Sequence, residues 1–161
     1  MPQHAGSRVI NAPATAIYRA YLDSTAVAAW RPPTGMRARI YSFDPRVGGG
    51  YRMAFVFDDG GAAHAGKSTE DADAFEGRFA ELVPDTRIVE VVRFQSDDPA
   101  FAGAMTLTTT LRPVTGGTEV SVRAAKVPSG ITAKDHEAGI ASSLENLARY
   151  VEGASAAKRT S

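Results

Sequence analysis

The sequence contains no cysteine. Disulfide bonds, thiolate catalysis and cysteine metal sites are therefore excluded. An excess of charge of either sign is also missing, because 18 lysine and arginine residues balance 18 aspartate and glutamate residues. A chain without a net positive field gives no indication of binding to polyanions. The composition therefore predicts that neither nucleic acid nor a membrane surface is a partner.

Long hydrophobic runs are absent as well. No apolar segment approaches the roughly 20 residues that a membrane-spanning helix needs. Residues 1–9 lack the apolar stretch of a secretory signal, so we expect a cytoplasmic protein. The 161 residues, 43% of them hydrophobic, are enough for a single domain with a sizeable core. We expect one domain over residues 1–161, with its core at about 8–152.

Motifs that mark common catalytic or cofactor sites are missing too. The chain has no G-x-S-x-G element and no glycine-rich phosphate loop with its lysine. A zinc site needs three or four convergent ligands, whereas His4, His64 and His136 lie far apart in the sequence. His64 could join Asp71 and Asp73 around a cation, but a solvated loop is the favoured interpretation. The sequence therefore predicts no metal, no cofactor and no catalytic residue.

The most regular pattern lies near the C-terminus, where apolar residues recur at helical spacing. The spacing predicts a long helix from Thr132 to Glu152. Gly153 is a typical helix-ending residue, and a frayed tail over residues 153–161 is expected to follow it. The apolar stripe consists of Ile140, Leu144, Leu147, Ala148 and Val151.

The remainder of the chain is typical of strands. Alternation of apolar and other residues is strongest in Tyr51–Phe57. Two short helices, over residues 13–22 and 25–30, are expected between the first and second strands, with Ser24 capping the second helix. A polar loop, Asp58–Asp73, is expected to be mobile. Consecutive strands with short connections predict an antiparallel meander, and hence an α+β fold. The predicted strands are Ser7–Asn11, Met36–Phe43, Tyr51–Phe57, Ala74–Val83, Arg87–Phe94, Ala102–Arg112 and Thr118–Val127.

Five motifs in order resemble a known family. They are INAPATAIYRAYLDSTAVAAW, FDPRVGGGYRMAF, EGRFAELVPDTRIV, RPVTGGTEVSV and GIASSLENLARYVE. Together they resemble the START-like (SRPBCC) superfamily, and within it the family named for the C-terminal domain of the activator of heat-shock protein 90 ATPase. The resemblance covers about Arg8 to Glu152. It implies a helix-grip fold, in which a curved antiparallel sheet of about seven strands wraps around the C-terminal helix.

The same resemblance implies a cavity between sheet and helix that binds a small, largely apolar ligand. Glu81 shares its predicted face with Phe79 and Val83, where it could orient the ligand or act as a general acid or base. A pair with an arginine, or a bond to backbone near the strand end, is the favoured interpretation. A cyclase or hydrolase using Glu81 or His136 remains open. So do a co-chaperone-like interaction module, a homodimer and a contact with a chaperone. The pattern alone favours a tightly packed core for the face formed by Tyr51, Met53, Phe55 and Phe57, and the resemblance shifts some of these residues to the cavity. The predicted ligand-binding residues are Trp30, Tyr51, Met53, Phe55, Phe57, Phe79, Glu81, His136, Ile140 and Leu144.

Overall fold

The computed structural model describes residues 3–33, 35–57, 72–95 and 98–160. The strands are β1 (Gln3–Ile10), β2 (Met36–Phe43), β3 (Gly50–Phe57), β4 (Ala72–Val83), β5 (Arg87–Phe94), β6 (Ala104–Val114) and β7 (Gly117–Ala125). The helices are α1 (Ala14–Tyr21), α2 (Ser24–Trp30) and α3 (Ala133–Thr160), with a short 3-10 helix at Pro99–Phe101. Most of the predicted loop Asp58–Asp73, including His64, lies outside the described residues.

The seven strands form one curved sheet in which every neighbouring pair is antiparallel. Strands β2 to β7 form a meander in chain order, and β1 pairs with β7 at the far edge. This architecture confirms the predicted α+β helix-grip fold. The sheet presents one face to α3, and the apolar side chains of that face form the core with it.

The long helix begins where the sequence indicates. The hydroxyl oxygen of Thr132 accepts a 3.1 Å hydrogen bond from the backbone N–H of Asp135, which is the expected N-terminal cap. The predicted end at Glu152 is wrong, because the helix continues through Gly153 to Thr160. The alanine-rich residues after the glycine are good helix formers, so one glycine does not end the helix.

Helix α3 buries its whole apolar stripe against the sheet and the two short helices. It approaches β1 closely at Gly6, where an added Cβ atom would lie 2.8 Å from Cγ2 of Ile140. Two hydrogen bonds tie α3 to the chain that follows α2. Ser143 donates to the carbonyl of Arg31 at 2.7 Å, and Asn146 donates to the carbonyl of Pro32 at 2.9 Å. The stripe residues Ile140, Leu144, Leu147, Ala148 and Val151 are all buried.

Local capping differs from the prediction at α2. The carboxylate of Asp23, not the hydroxyl of Ser24, caps this helix by accepting a 2.9 Å hydrogen bond from the N–H of Thr25. Aspartate and serine are both favoured at the start of a helix, because the side-chain oxygen of either accepts a hydrogen bond from an otherwise unpaired backbone N–H. No helix in the described part of the chain is long and apolar enough to cross a membrane.

The alternation of β4 is interrupted after Phe79. Phe79 pairs with Glu90 of β5, but Glu81 pairs with Val89, so one extra residue is accommodated in β4. A bulge of this kind moves the following side chains to the opposite face of the sheet. Phe79, which precedes the bulge, is buried on the inner face, and after the bulge Leu82 rather than Glu81 packs against the core.

Candidate functional site

A cavity of about 310 Å³ lies between α3 and the sheet. This volume is at the lower end of the range of ~300–1,000 Å³ that is usual for small-molecule sites. Helices α1, α2 and α3, the six strands β2 to β7 and the segment before α3 all contribute to its walls. The apolar walls are formed by Trp30, Met36, Phe55, Phe75, Val92, Phe94, Met105, Leu107, Val122, Ile131, Ile140 and Leu144.

The structure brings five of the predicted ligand-binding residues together around this cavity. Trp30 is held in place because its indole N–H donates a 2.9 Å hydrogen bond to the carbonyl of Ala20. Phe55 packs edge-on against Phe75, with ring centroids 4.9 Å apart. The five predicted residues at the cavity are Trp30, Phe55, His136, Ile140 and Leu144.

The other predicted residues are placed elsewhere. Tyr51, Met53 and Phe79 are buried in the core next to the cavity rather than on its walls. The backbone of Phe57 ends β3, but its side chain lies outside the described residues. Glu81 lies at the surface, so the prediction that it faces the interior is wrong.

Glu81 forms a surface ion pair instead. The Nε atom of Arg87 donates a 2.6 Å hydrogen bond to its carboxylate, and the Glu81 side chain is 43% exposed. The arginine pair, one form of the interpretation that the sequence favours for Glu81, is thus present. The bulge after Phe79 explains the difference, because alternation through that point would have put Glu81 on the inner face.

The buried carboxylate in this region belongs to Glu90 of β5, which is 1% exposed. Its neighbours on the adjoining strands are Phe79 and Leu107, both apolar. Oε1 of Glu90 accepts a 2.7 Å hydrogen bond from Nη1 of Arg31 and a 2.6 Å hydrogen bond from the hydroxyl of Tyr51. Nη2 of Arg31 also contacts the Tyr51 oxygen at 3.1 Å. The side chains of Arg31, Tyr51 and Glu90 therefore form one hydrogen-bonded group at one side of the cavity.

Electrostatics stabilise this group. Burial alone would lower the pKa of the Arg31 guanidinium. The negative charge of Glu90, the hydrogen bond to it and the nearby phenols of Tyr51 and Tyr21 together outweigh burial and raise that pKa above its ordinary value. Burial raises the pKa of the Tyr51 phenol well above its ordinary value, so the phenol remains a hydrogen-bond donor. A buried charge without a partner is costly, whereas the charges of Arg31 and Glu90 compensate each other.

Tyr51 reaches Glu90 only because Gly77 leaves room for its ring. Gly77 is the β4 residue paired with Tyr51 of β3. A Cβ atom added to Gly77 would lie 2.3 Å from Cζ of the tyrosine ring. The absent side chain lets the ring lie across β4 towards β5. A glycine inside a strand often marks such a close approach.

Another side of the cavity is bordered by His136, which pairs with His4 of β1. Nδ1 of His4 and Nδ1 of His136 are 2.7 Å apart, so one nitrogen carries the proton and the other accepts it. The predicted start of the first strand at Ser7 is wrong, because β1 begins at Gln3 and buries the His4 side chain. No group of three or more histidine and acidic side chains that could hold a metal is found among the described residues.

Sequence reasoning missed Arg31 and Glu90. A signal for Glu90 is present, since Ile88, Glu90 and Val92 alternate on one face of a strand and both neighbours are strongly apolar. An acidic residue at the middle of such a row predicts a buried carboxylate with a partner. Arg31 carries no comparable signal, because it lies 59 positions away from the residue that it neutralises.

Comparisons with known proteins agree with this architecture. A family model described as "Activator of Hsp90 ATPase homolog 1-like protein" matches residues 11–152. A crystal structure of a protein from Chromobacterium violaceum is 36% identical, with a TM-score of 0.81 over 93% of this chain and 96% of that one. The solution structure of an AHSA1-like protein from Aeromonas hydrophila is 22% identical, with a TM-score of 0.72 over 96% and 94%. The search of curated proteins found no match.

Proposed function

Because the chain belongs to the family of activator of Hsp90 ATPase homolog 1-like proteins, we propose that its cavity binds a small, largely apolar molecule. The fold and the family support a ligand-binding or cavity domain in general. The observation that carries the finer proposal is the cavity of about 310 Å³, whose walls are mainly apolar side chains. Water gains few hydrogen bonds in such a space, so an apolar occupant is favoured.

The geometry of the polar group favours binding over catalysis. A cavity enzyme is the second candidate, because Arg31 and Glu90 converge at the cavity as an acid–base site would require. However, the two charges neutralise each other, and Tyr51 donates to the same carboxylate oxygen. A carboxylate held in this way is suited to orienting a ligand rather than to abstracting a proton.

Exposed apolar side chains do not favour a protein-interaction module. The large ones among the described residues are Val9 on β1, Tyr41 on β2, Val47 in the turn after β2 and Tyr150 on α3. Single exposed apolar residues are normal on a protein surface. A contact with a chaperone, a homodimer and a cytoplasmic location stay predictions.

Dye binding tests the proposal. An anilinonaphthalene sulfonate dye should bind the folded wild-type protein saturably at one site. Phe55→Trp adds volume inside the cavity, so we expect dye affinity to fall at least about tenfold, or about 1.4 kcal/mol. Tyr41→Trp is the matched control, because it introduces the same side chain at an exposed position.

The opposite pattern would point to a solid core. In that case the wild type would show no saturable dye site, and Phe55→Trp would lose roughly 1–3 kcal/mol of stability through overpacking. Equal dye affinities for the Phe55→Trp and Tyr41→Trp variants would show that the dye binds outside the cavity.

A further inference from the structure

The two oxygens of the Glu90 carboxylate are used unequally. Oε1 of Glu90 accepts both hydrogen bonds of the polar group, from Arg31 and from Tyr51. Oε2 accepts none from the residues that the structure describes, although Glu90 as a whole is 1% exposed. Because Glu90 borders the cavity, this oxygen is a hydrogen-bond acceptor that the cavity offers to an occupant. No fully buried side-chain oxygen among the described residues lacks a hydrogen-bond partner, so Oε2 keeps some accessible surface. An occupant of the cavity that supplies a donor to this oxygen is favoured, because hydrogen bonds to charged groups are among the stronger ones.

The charge balance selects the kind of donor. Arg31 and Glu90 carry one charge each and lie 2.7 Å apart, so the polar group as a whole is neutral. A carboxylate on the ligand would place a second negative charge next to Glu90 in a weakly screened environment. An ammonium group would place a second positive charge close to Arg31. A neutral donor incurs neither penalty.

We propose that the ligand is a neutral apolar molecule carrying a hydroxyl group, which donates its O–H hydrogen bond to Oε2 of Glu90. This inference rests on the proposed function of the cavity. The apolar body of the ligand lies against walls such as Phe55, Phe94 and Leu107. Tyr51 is a positioning residue, because it fixes the other oxygen of the carboxylate.

A matched series of probes tests this head-group preference. Dodecanol and undecyl methyl ether contain the same atoms, but only the alcohol has an O–H donor. Each probe displaces the anilinonaphthalene sulfonate dye from the wild-type protein, and dodecanoate and dodecylammonium complete the series. A hydrogen bond to a charged acceptor is among the stronger ones. We therefore expect dodecanol to bind at least roughly tenfold more tightly than the ether, and more tightly than either charged probe.

A double variant assigns the preference to Glu90. Arg31→Met with Glu90→Leu removes both charges together, which avoids leaving one of them buried and unpaired. This variant should still bind the ether, with the alcohol-to-ether affinity ratio reduced to about one. Arg87→Met with Glu81→Leu makes the same exchange at the surface pair and should leave the wild-type ratio unchanged.

The outcomes separate the two proposals. Equal binding of alcohol and ether to the wild type overturns the hydroxyl assignment but leaves apolar ligand binding standing. Tightest binding of dodecylammonium or dodecanoate also overturns it, as does an alcohol preference that survives in the Arg31→Met and Glu90→Leu double variant. Absence of binding of the dye and all four probes to the wild type overturns both proposals. The wild-type series needs no variant, so the test stands even where the double variant does not fold.

Discussion

The phenol hydroxyl of Tyr51 lies 2.6 Å from Oε1 of Glu90, although β4 separates the strands that carry the two residues. Side chains on one face of a sheet usually contact residues on the adjacent strand. Here the ring of Tyr51 crosses above Gly77 and reaches the second strand along. The contact joins the middle of the sheet to the polar side of the cavity, and its removal should therefore be measurable as lost stability.

Tyr51→Phe should lower the free energy of unfolding by about 1.5–3 kcal/mol, because the hydrogen bond that it removes has a charged acceptor. Denaturant unfolding at neutral pH measures the change. Tyr41→Phe is the control. Tyr41 is 56% exposed, so removal of its hydroxyl should cost under about 0.5 kcal/mol. Equal losses for the two variants would contradict a stabilising role for the buried hydroxyl.

Gly77→Ala should destabilise the protein by roughly 1–3 kcal/mol, the usual cost of forcing extra volume into a packed site. The new methyl group would collide with the tyrosine ring at 2.3 Å. Gly153→Ala is the control, because nothing lies within 4 Å of its added Cβ atom. In a helix that change should be stabilising by about 0.5–1 kcal/mol. A neutral Gly77→Ala would mean that the ring moves aside without cost.

Leu144→Ala and Leu147→Ala compare two buried leucines of α3, of which only Leu144 borders the cavity. Each should cost roughly 2–5 kcal/mol in unfolding free energy, as other large-to-small core changes do. Only Leu144→Ala should also weaken binding of the anilinonaphthalene sulfonate dye, because it removes part of a cavity wall. A loss under about 0.5 kcal/mol at either position would be incompatible with a buried stripe.

Alkaline solution should destabilise the protein through Tyr21. Burial raises the pKa of this phenol from 10.0 to about 12. Below pH 10 both the folded and the unfolded forms are protonated, and the full stability is present. As the pH rises towards 12 the unfolded phenol ionises first, so the free energy of unfolding falls, on the order of 2–3 kcal/mol in total.

The pH dependence of denaturant unfolding measures that loss, and Tyr21→Phe should reduce its slope. The slope should not vanish in that variant, because burial also raises the pKa of Tyr51. An unfolding free energy that stays constant from pH 10 to 12 in the wild type would contradict the burial of Tyr21 and its pKa near 12.

Local patterns were sufficient to predict the order of the elements. The helical spacing of Ile140, Leu144 and Val151 survives in the structure because all three side chains face one sheet. The bounds of β5, at Arg87 and Phe94, also match, since a β-branched row between two turns leaves little ambiguity. Such features depend on neighbours along the chain, and sequence reasoning detects them directly.

The candidate site depends on contacts that are remote in sequence. The bulge after Phe79 reverses the face of Glu81, and no residue type marks it. His4 and His136 are separated by 132 positions, so their contact follows only from β1 lying beside α3. The alternation around Glu90 predicts a buried carboxylate, but its partner Arg31 follows only from the fold.

The close approach of Gly77 to Tyr51 also constrains how this site can change during evolution. A tyrosine at position 51 fits only while position 77 has no side chain, so a lineage acquiring the pair must gain the glycine first. The contact is lost more easily than it is gained. Any side chain at position 77 displaces the Tyr51 ring and moves its hydroxyl away from Glu90. Relatives without the contact between Tyr51 and Glu90 should therefore differ at positions 51 and 77 together, and this covariation would record the loss in their sequences.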